Sequence, residues 1–261
     1  MINQILLGDS FVLLKEINSK SINLIFTDPP YLKSLKSLYK DWEIEDFDLL
    51  ANQFDRILKD TGQIAIFGDY LTQTAIANAF QNYFSFRFHW IWLKSCGQPV
   101  NKHQPISNVE IISVWKKKNT KTRDVIYNPI PLEKGKPYHK KFSYNNPTRK
   151  GEVKEYTTEN KTGERYPTQI LRFPSKCNLP RSERTKHPTQ KPLALCRYVI
   201  KCLSAEGDLI LDPFSGSGSI PISAYLENRN FIAIEKDPNW WQESIDRLEL
   251  YQKQTTLFKG V

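Results

Sequence analysis

The chain is predicted to fold as an α/β protein around a doubly wound, mostly parallel sheet. Two observations carry this expectation. Short apolar, β-branched runs alternate with stretches whose apolar residues recur at helical spacing, the texture of strand–helix–strand units. Two of the runs also end abruptly in turn chemistry: an acid and two prolines in "IFTDPPYLKS" (25–34), and a glycine pair in "LILDPFSGSGSIPISAYL" (209–226).

In chain order, residues 3–7 (NQILL) read as a strand closing on Gly8-Asp9. A helix follows from Ser10, its expected N-cap, with Phe11, Leu14 and Ile17 on one face. Residues 22–26 form the next strand. Phe47, Leu50, Phe54, Ile57 and Leu58 then make a helical stripe that stops at Thr61-Gly62. Residues 63–67 (QIAIF) are a strand, with a helix over 71–81. Two longer aromatic-rich strands, 84–93 and 109–115, are joined by a Pro/Gly/Asn loop. Across 116–186 the periodicity dissolves into prolines, glycines, asparagines and charges, which predicts an irregular insertion. Regular texture resumes with a helix near 191–204, strand 208–211, helix 217–228, strand 230–235 and helix 238–252. The expected organisation is therefore a first half-core (1–115), an insertion (116–186) and a second half-core (187–261).

At 261 residues and 39% hydrophobic content the chain can bury one substantial core. No apolar run reaches membrane-spanning length, and no basic-then-apolar segment opens the chain, so a soluble, cytoplasmic protein is expected. Cys96, Cys177, Cys196 and Cys202 include no CxxC pair and read as reduced, mostly buried thiols. The four histidines are scattered, and no metal site is expected.

Charge is distributed unevenly. Residues 116–186 hold 19 Lys/Arg against 7 Asp/Glu, whereas the remainder carries a net −3 out of a total of +9. The excess points to a polyanion partner with a localised footprint, or to a solvated lysine-rich surface.

The two punctuated strands carry the chemistry. Neither proline at 29–30 can continue a sheet ladder, and each restricts the residue before it, so Asp28 and Tyr31 project from a stiff corner. In the second motif Gly216 and Gly218 allow a tight turn and close ligand approach at a helix start. About twenty residues on, strand 230–235 ends in Glu235, an acid suited to both hydroxyls of a ribose. Together these features predict a nucleoside-cofactor site.

Both motifs resemble those of the amino-directed (N6-adenine/N4-cytosine) DNA methyltransferases that use S-adenosylmethionine. Asp28-Pro29-Pro30-Tyr31 looks like their catalytic tetrapeptide, and Phe214-Ser215-Gly216-Ser217-Gly218 like their FxGxG cofactor loop. "HPTQKP" (187–192) is similar to the segment that precedes that loop. Catalytic motif first, basic segment next and cofactor motif last is the order of the β class. The resemblance covers roughly 1–115 and 187–252. It implies a Rossmann-like methyltransferase fold with an antiparallel hairpin, and S-adenosyl-L-methionine as cofactor.

Several roles follow from the resemblance. Asp28 and the Pro29 carbonyl would accept the two hydrogens of a base amino group, with Pro30 stiffening the corner and Tyr31 stacking on the extruded base. Asp212, Phe214, Gly216 and Gly218 would surround the cofactor's methionine and ribose, with Glu235 on the ribose hydroxyls. Asp9 would accept from the cofactor's adenine, unless it is a solvated turn; Lys191 would neutralise the methionine carboxylate, unless it faces water. Asp237 and Asn239 read as turn and cap. Trp90, Trp92 and Trp115 either flank the target pocket or belong to the core.

The aspartate form of the tetrapeptide implies N6-adenine over N4-cytosine as the target. Segment 116–186 would be the target recognition region on double-stranded DNA, where Asn145, Asn146, Arg149, Arg165 and Arg172 are chemically able to read bases. The compact chain is similar to restriction–modification enzymes, some of which pair as homodimers and act beside a cognate restriction endonuclease. An RNA or protein amide methyltransferase, or a DNA-binding protein with inactive motifs, are the competing readings; the motif order and the intact tetrapeptide speak against them.

Overall fold

The computed structural model describes residues 1–32, 42–98, 102–103, 105–145 and 153–259. The strands are β1 (Gln4–Leu7), β2 (Ile22–Thr27), β3 (Leu58–Gly68), β4 (Phe84–Gln98), β5 (Ser107–Lys117), β6 (Tyr138–Asn145), β7 (Val153–Asn160), β8 (Ile170–Phe173), β9 (Leu209–Asp212) and β10 (Asn230–Glu235). The helices are α1 (Ser10–Leu13), α2 (Asp46–Ile57), α3 (Tyr70–Phe80), α4 (Leu193–Leu203), α5 (Ser219–Leu226) and α6 (Pro238–Lys259). They fall into two compact units, Met1–Asn128 with Gln169–Val261, and Pro129–Thr168.

The first unit is organised by a sheet of strand order β1-β10-β9-β2-β3-β5-β4-β8. From β1 to β3 neighbouring strands are parallel. β5 runs antiparallel to both β3 and β4, and β4 is parallel to β8. One edge of the sheet thus collects the carboxyl ends of β1, β10, β9, β2, β3 and β4 and the amino end of β5. Between β9 and β2 the winding reverses, with Leu24 opposite Ile210 and Ile25 opposite Leu211. Crevices outside such reversals are where open α/β sheets bind ligands.

Helices cover both faces of the central strands, which explains why β2 and β3 read as continuous apolar runs rather than alternating ones. α2 turns Phe47, Leu50, Ala51, Phe54 and Ile57 inward, the stripe expected from the spacing. An aromatic cluster forms beneath it: the Phe80 ring lies 6.3 Å from Phe54, 5.1 Å from Phe84 and 5.5 Å from Trp115. Trp90, Trp92 and Trp115 are all buried, so they belong to the core. Gly218, at φ +74°, turns the chain into α5, where a Cβ would lie 3.0 Å from that of Ser244. No helix among the described residues is long and apolar enough to cross a membrane.

Four features depart from the sequence expectations. Asp9, not Ser10, caps α1, accepting from the Phe11 amide at 2.8 Å, while the Ser10 hydroxyl donates to the Pro213 carbonyl. Segment 116–186 is not irregular throughout: β6 and β7 pair as a hairpin in the second unit. β8 extends the large sheet beside β4. Both were hidden because a strand exposed on two faces, or four residues long, leaves no apolar alternation. Finally, Cys96 and Cys177 are joined by a disulfide 81 residues apart in sequence, rather than reduced; Cys196 and Cys202, in α4, are buried thiols outside any disulfide, as expected. Parallel pairing of β4 with β8 carries those two cysteines to the same end of the sheet, which no local spacing reports. Asn146 and Arg149 lie outside the described residues.

Truncating Phe80 removes three ring contacts at once. Phe80→Ala should destabilise the chain by about 3–5 kcal/mol, read as a lower urea midpoint at unchanged slope.

Candidate active site

The corner after β2 stands at the sheet reversal. Its far side is pinned where the Leu32 amide donates to Thr72 Oγ1 at 3.1 Å. Asp28 Oδ1 accepts from the Tyr31 hydroxyl at 2.9 Å, and Oδ2 accepts from the Lys191 ammonium. That hydroxyl also lies 3.2 Å from Glu110 Oε2, so its single proton is shared between two carboxylates. Glu110 Oε2 is 3.4 Å from Lys191 Nζ, and Glu110 Oε1 pairs with Lys94. The Lys191 ammonium sits 5.6 Å from the Tyr31 ring centre and 5.0 Å from that of Phe67, a cation–π position over both.

Two carboxylates and two ammoniums therefore compensate one another in a largely dry pocket. Burial raises Asp28 above the usual carboxylate range, with Lys191 acting in the opposite direction. Burial also pushes Glu110 up, but Lys191 and Lys94 together outweigh it and hold it below the ordinary value. Burial would lower Lys191, yet Asp28 and Glu110 outweigh it and hold the ammonium above its ordinary value. Tyr31 is raised well above a free phenol by burial and by both carboxylates, so it stays a donor.

Across the reversal stands Asp212, at the end of β9. Its Oδ1 accepts from Thr27 Oγ1 at 2.9 Å and from the Phe214 amide at 3.2 Å, whereas Oδ2 is buried without a partner among the described residues. Burial pushes this carboxyl up to about 8, despite the Thr27 and Phe214 bonds. The glycine turn follows. Glu235 Oε2 accepts from the Gly216 amide at 2.7 Å, and Oε1 from the Asp237 amide at 2.9 Å. Gly216 has φ +49°, and a Cβ there would lie 3.0 Å from His187 Nε2. Burial first, then Lys191 and Lys176, push His187 down to about 4, so its ring is neutral. The 187–192 segment is tied to the turn again where Ser219 Oγ donates to the Lys191 carbonyl at 2.7 Å.

The remaining expected residues also reach this edge. Phe214 packs edge-on to Trp42, ring centres 5.3 Å apart. Asp9, besides capping α1, lies 3.2 Å from Lys236, and the Gly8 amide donates to the Glu235 carbonyl. Asp237 caps α6 through the Asn239 and Trp240 amides, the turn-and-cap arrangement expected there. Lys191, expected at a cofactor carboxylate, has its ammonium on Asp28 and Glu110.

Sequence reasoning missed Glu110, Lys94 and Thr27. Their one signal was a charged or hydroxyl residue set inside an aromatic or apolar strand, too common to rank. Among the described residues Asp212 Oδ2 and Ser215 Oγ are unpartnered, and they lie beside a turn whose positive φ strains any side chain, which fits a polar nucleoside ligand. Among the described residues no cluster of His, Cys, Asp and Glu could hold a metal ion.

The second unit contains the β6–β7 hairpin. Ladder alternation puts Tyr138, Lys140, Phe142, Tyr156, Thr158 and Asn160 on one face, and His139, Lys141, Ser143, Glu155, Thr157 and Glu159 on the other. On the first face Phe142 and Tyr156 are 51% and 53% exposed. Arg165 and Lys140 lie 4.9 and 5.5 Å from the Tyr138 ring centre. Both glutamates belong to the second face.

Comparison with known proteins places this geometry. The DNA methylase family model (N6_N4_Mtase) matches residues 22–245. The chain is 29% identical over 254 residues to the DNA adenine methyltransferase YhdJ of Escherichia coli (strain K12), covering 93% of this chain and 81% of that one. It is 26% identical over 273 residues to the type II methyltransferase M2.MboI of Moraxella bovis, covering 97% and 89%. Its fold matches the crystal structure of the M1.HpyAVI–SAM complex with TM-score 0.61 and 26% identity, over 94% of this chain and 98% of that one. The cytosine-N4-specific PvuII DNA methyltransferase shares the fold at TM-score 0.67 and 18% identity, over 96% and 90%.

A carboxyl raised to about 8 takes up its proton more readily when folded, so its contribution is fully present below about pH 4 and fades as pH rises towards 8. Asp212→Asn should therefore gain stability relative to wild type as pH rises from 5 to 8, measured by urea midpoints at both values.

Proposed function

This chain belongs to the N6/N4 DNA methylase family, and from that membership we propose that it is a sequence-specific DNA adenine-N6 methyltransferase of a restriction–modification system. The observation that carries the reading is the adjacency of the Asp28 corner and the Asp212 turn, bridged by the Thr27–Asp212 hydrogen bond. When bound, S-adenosyl-L-methionine supplies an electrophilic methyl group. Asp212, Phe214, Gly216, Gly218 and Glu235 would hold it, with Asp9 towards its adenine.

An exocyclic amino nitrogen is a poor nucleophile because its lone pair is delocalised into the ring. Asp28 accepts one N–H and the Pro29 carbonyl the other, which favours the tetrahedral nitrogen that attacks. Such bonds strengthen as positive charge develops, so they act mainly on the transition state. The prolines set both acceptors before the base arrives. Tyr31 presents its ring to the base, a contact worth roughly 1–3 kcal/mol in such stacks. No cysteine adjoins a proline in this chain, in keeping with direct transfer and no covalent adduct. The target lies inside a duplex, so it is flipped out.

Adenine is favoured by the aspartate of the tetrapeptide and by the adenine methyltransferase among the relatives. The 129–168 unit, inside the basic segment 116–186, is the proposed recognition element for double-stranded DNA. Its acid-free hairpin face combines cations with exposed aromatics, and a two-stranded ribbon fits the major groove. Action beside a cognate endonuclease, as a homodimer and in the bacterial cytoplasm, completes the proposal.

Incubated with DNA and labelled cofactor, the protein should yield N6-methyladenine by mass spectrometry; N4-methylcytosine alone would reverse the target assignment. Asp28→Ala should cut kcat by at least about 10²-fold while calorimetric cofactor affinity changes little. On the hairpin, Lys140→Ala should flatten the slope of log K against log salt by about 1, and Lys141→Ala should leave it nearly unchanged. Equal effects would reject the assigned face.

A further inference from the structure

A carboxylate stabilises positive charge developing on the target nitrogen best when nothing else neutralises it. Lys191, with a side chain only 7% exposed, sits directly on Asp28 Oδ2. Left there, its ammonium would cancel much of the field that Asp28 offers to the reacting nitrogen. Yet the same Nζ has a second seat 3.4 Å away, on Glu110 Oε2. Both carboxylates are largely shielded, with side chains 18% and 13% exposed, and the ammonium between them lies over the Tyr31 and Phe67 rings, so a move from one to the other does not require it to pass through bulk water. Lys94 holds the other Glu110 oxygen, which keeps that carboxylate ionised wherever Lys191 rests. The Tyr31 hydroxyl spans the two carboxylates and can reassign its proton as the ammonium moves.

We propose that Glu110 is a positioning residue for methyl transfer: it takes Lys191 off Asp28 when the target amino group enters, leaving Asp28 an uncompensated acceptor. The inference rests on Asp28 being that acceptor. Glu110 touches neither base nor cofactor in this role; it acts through Lys191. The pocket stays neutral overall, and charge is redistributed towards the reacting nitrogen. The groups facing Asp28 are Lys191, Tyr31 and Glu110, and Asp212 and Cys196 also feel its charge.

Glu110→Gln removes the second seat at nearly constant shape and confines Lys191 to Asp28. The Asp28 titration, followed by carbon-13 NMR of the ligand-free protein and identified against Asp28→Asn, should move to lower pH. In Lys191→Met it should move to higher pH, since burial and Glu110 then act unopposed. On DNA, Glu110→Gln should lower kcat roughly tenfold or more, with the cofactor KM within about twofold. In a Lys191→Met background the same substitution should cost little further, because its effect passes through the missing ammonium. Losses that multiply independently, or a loss confined to the cofactor KM, overturn the proposal. An unmoved Asp28 titration in a protein that methylates DNA overturns the role of Glu110 alone. A titration that moves in a protein that methylates no DNA overturns the functional reading instead.

Discussion

Parallel pairing of β2 with β9 is the constraint on which the site depends. Leu24 faces Ile210 and Ile25 faces Leu211, and this short ladder joins segments some 185 residues apart. Just past this ladder both segments leave the sheet: β2 after Thr27, at Asp28, into a proline corner, and β9 after its last residue, Asp212, into a glycine turn. The buried Thr27–Asp212 hydrogen bond at 2.9 Å then locks the two exits together. A one-residue slip would turn Asp28 to the opposite face, since side chains alternate along a strand. Continuous burial of β2 and β9 makes such a slip costly, so the register that builds the core also aligns the chemistry.

The two aspartates at this junction are treated differently by their surroundings. Asp28 is compensated, drawn into a chain with Lys191, Glu110 and Lys94 in which every charge has an opposite neighbour. Among the described residues Asp212 has hydrogen bonds but no ion pair, and burial pushes its carboxyl up. Burying ionised groups is expensive, and a dry ion-pair chain is a poor source of stability compared with apolar packing. Such a chain is more readily explained by what it does to Asp28 than by any gain in folding. The unpartnered Asp212 oxygen has a similar meaning: a buried polar atom left open at a cost is one prepared for a ligand.

The second unit follows a separate logic. Its hairpin is exposed on both faces, and an isolated two-stranded ribbon is marginal in water. The segregation of both glutamates onto one face, with tyrosines, phenylalanine and lysine on the other, is not required by folding. A surface that meets a polyanion on one side only accounts for it.

Much of this was legible in the residues. Strands 22–26, 63–67, 208–211 and 230–235 and the α2 stripe declared themselves by periodicity, because burial selects apolar residues locally. The proline corner and the glycine turn did so by covalent geometry, which acts on neighbours alone. What composition and order could not convey was any partnership across the sheet. Glu110 and Lys94 join the site only because β5 runs antiparallel and presents its amino end beside the carboxyl end of β4. Cys96 meets Cys177 only because β8 adds to β4, and the hairpin was hidden because exposure leaves no apolar pattern. The sequence by itself determined which strands exist and where the reactive corner and turn lie, since those rest on near-neighbour sterics and burial. The tertiary structure alone decided which charges face Asp28, because electrostatic partnership depends on distance in space and not on distance along the chain.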